Sequence, residues 1–297
     1  MAIGTVGILS PGDMGHTVGA VLRAHGLRVL TCLDGRSIRT RGLAVEAGFE
    51  DTASLAELVR AADILLCILA PAAAPGVARQ VADALHATGA DVLYADCNAI
   101  APRTVRAIGE TIQAAGGRFA DVGIIGGPPK QPGTRFYASG PGAADFAALG
   151  DYGLEVRVLD GAIGQASGLK MCYGALTKGV QALGTELLVA ARALGLDEVL
   201  RNEQQDSQPL LREWLARSTP TMPPKAYRWV GEMEEIATCF ADLGLTPGIF
   251  QGVADFYRFV TATPIGQETP ETRDRSRGLD GVVAALAEAL PEAASRG

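Results

Sequence analysis

The chain has 297 residues, of which 48% are hydrophobic and 20% are charged, and its formal net charge is −7. This length and apolar content allow one large core or two of ordinary size. The acidic balance argues against a nucleic-acid partner, because proteins that bind the phosphate backbone present a basic face. No secretory signal is visible, and the longest uncharged run of the N-terminal half, residues 64–78, is too short to span a bilayer. We therefore expect a cytoplasmic protein with no membrane partner.

Short apolar runs alternate with helical patterns in the N-terminal half. The early runs are rich in Val, Ile and Leu, which is typical of parallel strands buried on both faces. This alternation predicts an α/β domain with a doubly wound, Rossmann-type parallel sheet. The predicted strands are Thr5–Leu9, Arg28–Leu33, Ile64–Leu69, Val92–Ala95, Phe119–Val122, Arg135–Ser139 and Glu155–Leu159. The predicted helices are Met14–His25, Thr40–Ala47, Leu55–Arg60, Gly76–Ala87 and Pro102–Ala115.

The pattern becomes entirely helical after about Asp160. One long helix is predicted over Gln165–Leu196, and its many glycines need a reason, such as the close approach of another helix or of a ligand. Further predicted helices are Glu198–Glu203, Leu210–Ala216, Lys225–Leu243, Thr246–Ala262 and Gly278–Ala289. We expect a nucleotide-binding domain at 1–162, a helical domain at 163–290 and a frayed tail at 291–297.

The stretch "GILSPGDMG" follows the first strand and opens the first helix. It fits the dinucleotide-binding pattern G-x-G-x-x-G, with Gly12 and Gly15 at the second and third glycines and Ser10 at the first. A helix N-terminus at this point offers free N–H groups to a phosphate. The candidate cofactor residues of this turn are Ser10, Pro11, Gly12, Asp13 and Met14. An ordinary strand-to-helix turn is the alternative.

The loop after the second strand indicates which nicotinamide cofactor is bound. A carboxylate at this place contacts the ribose hydroxyls of NAD, whereas an arginine accommodates the 2′-phosphate of NADP. Arg36 and Ser37, with Arg39 and Arg41 close behind, favour NADP, while Asp34 argues for NAD. We expect NADP, and the alternative is a solvated basic start of a helix.

Two later strands also end in loops with the composition of a ligand crevice. The first loop contains Leu69, Ala70 and Pro71, and the second contains Asn98. Asn98 is a candidate contact to the nicotinamide ribose or the substrate, or else a helix cap before Pro102. The five cysteines and three histidines are scattered without the spacing of metal ligands, so no metal site is predicted.

Taken in order, these motifs resemble the β-hydroxyacid dehydrogenases. "GILSPGDMG", "GRS", "DCNAIAP", "FADVGIIGG" and "GLKMCYGA" carry the resemblance. This superfamily includes 3-hydroxyisobutyrate dehydrogenase, and 6-phosphogluconate dehydrogenase and the imine reductases are relatives. The later "PKAYRWVGEMEEIA" is similar to an uncharacterised branch with a divergent C-terminal domain. The resemblance implies an NADP-binding Rossmann domain, a long interdomain helix and a helical domain through which the protein forms a homodimer.

The family's catalytic lysine matches Lys170, on the long helix. A lysine on an apolar helix beside a positively charged nicotinamide would have a lowered pKa and serve as general acid/base; a snorkelling lysine is the alternative. The family's substrate-binding Ser-Gly-Gly becomes Ile125-Gly126-Gly127 here, and its asparagine after the lysine becomes Tyr173-Gly174. Trp229 and Met233 are further candidate substrate contacts, so the substrate site is expected to be more apolar than that of the family. Packing between helices is the alternative explanation for these two residues.

These residues predict an NADP-dependent dehydrogenase or reductase, of the class EC 1.1.1, with Lys170 as general acid/base. Its substrate is expected to be a small molecule other than 3-hydroxyisobutyrate. Two alternatives stay open. One is an imine reductase on the same scaffold, of the class EC 1.5.1. The proton donor of that group is usually Asp or Tyr, and Tyr173 is close to Lys170 on the same helix. The other is a non-catalytic, NADP-binding or redox-sensing dimer, for which Ile125 and Gly174 would be signs of a lost active site.

Overall fold

The computed structural model describes residues 3–129 and 133–291 of the chain. The chain divides into two compact units between Tyr173 and Gly174, so the division falls inside the long helix. The boundary expected near residue 162 stays a prediction about domains. Of the tail expected at 291–297, only Pro291 lies among the described residues.

The N-terminal unit is built on one eight-stranded sheet. Its strands run in the order β3-β2-β1-β4-β5-β6-β7-β8, and every neighbouring pair is parallel except β6 and β7. This order, which reverses direction at β1 and β4, confirms the doubly wound sheet. The strands are β1 Thr5–Ile8, β2 Arg28–Thr31, β3 Glu50–Asp51, β4 Ile64–Cys67, β5 Leu93–Asp96, β6 Arg118–Ile125, β7 Arg135–Ser139 and β8 Glu155–Val158.

Both faces of the sheet are covered by apolar clusters. Successive residues of a strand point to opposite faces, so Ile64 and Leu66 of β4 join one cluster while Leu65 and Cys67 join the other. All four residues are fully buried, which explains why this strand reads as a continuous apolar run. The helices of this unit are α1 Gly15–Ala24, α2 Ile38–Glu46, α3 Leu55–Ala61, α4 Ala74–Thr88, α5 Pro102–Ala114 and α6 Ala143–Ala147.

Two of these strands and α-helices were not predicted. Strand β3 has only two residues, both acidic and exposed, so it lacks the apolar signal of a strand. Helix α6 has five residues, too few for a helical period to show in the sequence.

The C-terminal unit is helical, as expected. Helix α7 starts in the N-terminal unit and continues into this one, and its 29 residues give a length of about 43 Å. The helices are α7 Gln165–Ala193, α8 Asp197–Ser207, α9 Pro209–Ser218, α10 Ala226–Asp242, α11 Gly248–Ala262 and α12 Leu279–Glu288. Over residues 3–129 and 133–291, none of the helices is long and apolar enough to cross a membrane.

Close approach of neighbouring helices explains two glycines of α7. A Cβ added to Gly184 would lie 2.6 Å from Leu215 Cδ2, and one added to Gly174 would lie 3.2 Å from Ile236 Cδ1. The expectation that these glycines admit a close neighbour is therefore confirmed, and the neighbour is a helix. Gly179 is different, because its added Cβ would meet Phe250 Cε1 at an ordinary 3.5 Å.

This contrast makes Gly184 and Gly179 a matched pair for substitution by alanine. Gly184→Ala should lower the free energy of unfolding by about 1–2 kcal/mol, because the buried Leu215 side chain must move. Gly179→Ala should raise it by up to about 1 kcal/mol, because alanine favours the helix and fits the space. Urea denaturation of the two variants and the wild type measures both effects. Equal effects at the two positions would contradict the packing argument.

Candidate functional site

The turn between β1 and α1 has the shape needed to hold a phosphate group. A Cβ added to Gly15 would lie 2.3 Å from the backbone oxygen of Ser10, so only glycine fits where the helix starts. At Gly12 an added Cβ would meet no atom within 4 Å, so the turn has open space beside its backbone. Together with the N-terminus of α1, this arrangement fits the pyrophosphate of a dinucleotide.

The loop after β2 is bonded to this turn at two places. Arg36 Nη2 donates a hydrogen bond to the backbone oxygen of Leu9 at 2.8 Å, and Arg39 forms an ion pair with Asp13. Arg36 Nε is buried and has no hydrogen-bond partner among the described residues. Ser37 caps α2, its Oγ accepting from the backbone N–H of Thr40 at 3.2 Å. The structure thus brings the two halves of the predicted cofactor site together.

Asn98 lies at the carboxyl end of β5, and it is 2% exposed. Its Oδ1 accepts from the backbone N–H of Leu69 at 2.5 Å, and its Nδ2 donates to Asp96 Oδ1 at 2.9 Å and to Cys67 Sγ at 3.3 Å. The amide therefore ties the Leu69–Pro71 loop to the next strand. The alternative of a helix cap is wrong, because the N-cap of α5 is Ala101. A contact of Asn98 with the cofactor stays a prediction.

Asp96 is a buried carboxyl group beside Asn98. Its side chain is 1% exposed, and its Oδ2 has no hydrogen-bond partner among the described residues. Burial, with a smaller contribution from the nearby charge of Asp121, raises the pKa of Asp96 to about 7, although the two hydrogen bonds from Asn98 act in the opposite direction. The carboxyl ends of β4 and β5 thus carry an acid that titrates near neutral pH.

A second buried carboxylate, Asp121 of β6, holds the start of α7. Its Oδ2 accepts from Ser139 Oγ at 3.0 Å and from the backbone N–H groups of Gly164 at 2.8 Å and Ser167 at 3.2 Å; its Oδ1 accepts from Ser167 Oγ at 2.6 Å. Ser139 Oγ in turn accepts from the backbone N–H of Ala166 at 3.1 Å. The carboxylate satisfies unpaired donors and faces the positive end of the helix dipole.

Lys170 follows less than one turn after Ser167 on α7. Its Nζ donates to the backbone oxygen of Ile124, at the end of the same strand that carries Asp121. Gly123 makes this possible, since an added Cβ would lie 2.6 Å from Ala166 O and 3.3 Å from Lys170 Cβ. Strand β6 therefore fixes both the helix that carries the predicted catalytic lysine and the lysine's ammonium group.

Three of the predicted substrate residues lie at the end of β6, and Tyr173 lies on α7. Ile125 is the last residue of the strand and is 6% exposed, whereas Gly126 and Gly127 are exposed. Gly126 has a φ of +120°, and its added Cβ would lie 2.8 Å from Gly133 O, so the chain needs glycine there. Tyr173 is 46% exposed on α7, three residues after Lys170.

The other predicted substrate residues belong to the C-terminal unit. Met233 is fully buried on α10, in agreement with helix packing. Trp229 packs edge-on against Tyr257 with ring centroids 5.3 Å apart, and Lys178 Nζ lies 5.5 Å from its ring centre. Lys178 is ion-paired with Glu232, both side chains being 15% exposed. The ammonium group of Lys178 is thus bound to a carboxylate, whereas that of Lys170 donates to the backbone oxygen of Ile124.

The sequence did not single out Asp96, Asp121, Ser139 or Ser167. A signal was available for the two acids, because an aspartate inside an apolar strand must find buried partners. Among residues 3–129 and 133–291, no group of three or more His, Cys, Asp or Glu side chains is arranged to hold a metal ion.

Residues 2–148 match the protein family described as the NAD binding domain of 6-phosphogluconate dehydrogenase. The N-terminal part of the chain belongs to this NAD-binding family. Residues 191–260 match a domain of unknown function, DUF1932. An uncharacterised 28.5 kDa protein from Methanothermus fervidus is 29% identical over 196 residues, which are 66% of this chain and 74% of that protein.

Solved structures of similar fold agree with this membership. A conserved protein of unknown function, whose structure is described as similar to 3-hydroxyacid dehydrogenases, is 29% identical with a TM-score of 0.65, over 89% of this chain and all of the other. The 3-hydroxyisobutyrate dehydrogenase of Mycobacterium tuberculosis shares the fold, with 18% identity, a TM-score of 0.69 and coverage of 96% and 99%. The resemblance to the β-hydroxyacid dehydrogenases is thereby confirmed. Family and fold together indicate an NAD(P)-dependent oxidoreductase.

The raised pKa of Asp96 predicts a pH-dependent stability. The folded protein keeps the proton of Asp96 up to about pH 7, whereas the unfolded chain releases it near pH 4. The stabilisation from the protonated Asp96 is complete below pH 4 and is lost as the pH rises to 7. The free energy of unfolding of the wild type should therefore fall by roughly 4 kcal/mol relative to that of Asp96→Asn over this range.

Urea denaturation at several pH values measures this difference. Asp83→Asn, at an exposed position of α4, is the control and should follow the wild type at every pH. Parallel stability curves for wild type and Asp96→Asn would contradict the buried-acid interpretation.

Proposed function

We propose that this protein is a cytoplasmic, NADP-dependent oxidoreductase of the β-hydroxyacid dehydrogenase type. It interconverts a hydroxyl-bearing and a carbonyl carbon of a small substrate other than 3-hydroxyisobutyrate, with Lys170 as general acid/base. The observation that carries the proposal is the position of Lys170, whose ammonium is held at Ile124 O, at the carboxyl end of β6. Ligands of open α/β sheets bind at this edge.

The residues present fit a dinucleotide. Gly12 and the N-terminus of α1 would hold the pyrophosphate, and Arg36, whose buried Nε lacks a partner among the described residues, would hold the ribose side with Ser37. The arginines of this loop favour the 2′-phosphate of NADP over NAD. When bound, the nicotinamide supplies the hydride chemistry, while the protein orients the reactants and handles the proton.

Lys170 would exchange the proton of the substrate oxygen. In the direction of carbonyl reduction its ammonium gives a proton to the oxygen, and in alcohol oxidation the neutral amine takes it. The carbonyl of Ile124 fixes the ammonium by accepting one of its three hydrogens, and Asp121 fixes the helix behind it.

The substrate proposal rests on Ile125. This apolar side chain takes the place of a serine of the β-hydroxyacid dehydrogenases. The end of β6 therefore lacks a hydroxyl that could bind the carboxylate of a substrate. Gly126 and Gly127 are exposed, and their backbone N–H groups would be the donors to the substrate. A bulkier or less charged alcohol or ketone fits this chemistry better than a small hydroxy acid.

Imine reduction is a second candidate function, and Tyr173 favours it. This exposed phenol lies three residues from Lys170 and offers a different proton donor on the same helix. The imine reductase of Myxococcus stipitatus, solved with NADP⁺, has the same fold at 17% identity, with a TM-score of 0.53 over 87% of this chain and 92% of the other. At this identity the likeness supports only the scaffold.

Substitution of Lys170 tests the proposed mechanism. Lys170→Ala should lower kcat/KM by about 10²–10⁴-fold, because the proton transfer loses its partner. Lys170→Arg is the matched variant, since it keeps the charge but does not release a proton, and it should be equally impaired. Turnover is measured with NADPH on panels of ketones and cyclic imines, and with NADP⁺ on alcohols.

Each outcome of this panel distinguishes the candidates. Near wild-type turnover of Lys170→Ala would refute Lys170 as acid/base. A wild-type preference for imines, abolished by Tyr173→Phe, would favour imine reduction. Failure of every substrate despite NADPH binding would favour the non-catalytic, redox-sensing alternative.

We further propose that the protein is a homodimer, formed through a stripe of apolar residues on α7. The residues follow one another at alternating intervals of four and three, which is the repeat of a helix-pairing seam. Leu176 and Leu183 are each 63% exposed. The stripe consists of Leu176, Val180, Leu183, Leu187 and Ala190. A second copy of this chain offers the same repeat, so the seam is self-complementary.

A charge in the seam should therefore break the dimer. Leu183→Glu should convert the protein to a monomer at micromolar concentration, as measured by light scattering after size-exclusion chromatography. Glu288→Ala, at an exposed position of α12, is the control and should stay dimeric. A monomeric wild type would contradict the proposal.

A further inference from the structure

The phosphate-binding turn contains an acid that faces an arginine of the neighbouring loop. Asp13 lies between Gly12 and the N-cap of α1, and it forms an ion pair with Arg39 from the first turn of α2. The Asp13 side chain is 22% exposed and that of Arg39 is 42% exposed, so both remain accessible to a ligand. A carboxylate in this turn opposes the binding of a phosphate, and it needs an explanation.

The ion pair changes what Arg39 offers to a nucleotide. A guanidinium binds carboxylates and phosphates with the same N–H donors, so the two anions compete for it. A phosphate monoester carries a charge of about −1.5 to −2 at pH 7 and three strong acceptor oxygens, so it competes well against a single carboxylate. When no such phosphate is present, Arg39 neutralises Asp13.

We propose that Asp13 weakens the preference for NADPH, by competing with the 2′-phosphate of the nucleotide for Arg39. With NADH, Arg39 stays on Asp13 and screens its charge from the pyrophosphate. With NADPH, Arg39 leaves Asp13, and the negative charge of the carboxylate, no longer screened by Arg39, weakens the gain from the 2′-phosphate. Asp13 therefore reduces the preference for NADPH that the other arginines of the loop create. This inference rests on the proposed binding of a nicotinamide cofactor.

A double-mutant cycle of Asp13 and Arg39 tests the competition. The dissociation constants of NADPH and NADH, which differ only in the 2′-phosphate, are measured by calorimetry and thermal shift at a fixed ionic strength. Asp13→Asn should raise the ratio of the NADH to the NADPH constant by about 5–10-fold, because Arg39 becomes available to the phosphate. In the Arg39→Gln background, Asp13→Asn should change both constants by the same factor and leave the ratio unchanged.

The ion pair of Arg28 and Glu50, at the opposite end of β2, provides the control. Glu50→Gln removes a comparable surface pair of the same unit and should leave both constants as in the wild type. An equal effect of Asp13→Asn on the two nucleotides in the wild-type background would overturn the proposal, because Asp13 would then act only as a local charge. A fall in the ratio would also overturn it, since Asp13 would then position Arg39 for the phosphate.

Failure of the proposed function has a different result. If neither NADPH nor NADH raises the melting temperature of the wild type, the protein does not bind these cofactors and the function itself is refuted. If the wild type prefers NADH, only the choice of NADP is refuted, and the change of ratio in Asp13→Asn still decides the role of Asp13.

Discussion

The buried carboxylate of Asp121 joins the sheet to the long helix, and the candidate site depends on this junction. A charge with no access to water is strongly unfavourable unless it is fully hydrogen-bonded. Asp121 meets this condition with two serine hydroxyls and two backbone N–H groups at the start of α7. These hydrogen bonds fix the position of α7 along β6. Since Lys170 lies on the first turns of α7, they also fix the position of Lys170.

The remaining parts of the site are organised by similar local bonds between successive strand ends. Arg36 bonds the loop after β2 to the end of β1, and Asn98 bonds the loop after β4 to the end of β5. Each bond uses a side chain from one strand end and a backbone group from its neighbour. Side chains thus join neighbouring strand ends at the ligand edge of the sheet.

The strands and helices were predicted well where a buried strand gives a continuous apolar run in the sequence. All seven predicted strands exist, and β3 was missed because Glu50 and Asp51 pair at an exposed edge. The glycines of the first turn and Lys170 were found because their motifs are local. Asp121, Ser139 and Ser167 were not found, because their meaning lies in hydrogen bonds between segments distant in the chain. Likewise, the pairing of Asp13 with Arg39 has no local signature.

Asp121, Gly123 and Ile125 alternate along β6, so their side-chain positions share one face of the strand. At about 3.3 Å per residue, the first lies roughly 13 Å from the last. The first residue anchors the helix, the second provides clearance for it, and the third stands at the ligand edge. The residue that stabilises the fold, Asp121, is therefore distant from the residue at the ligand edge, Ile125. Position 125 can vary with the substrate without disturbing the hydrogen bonds of Asp121.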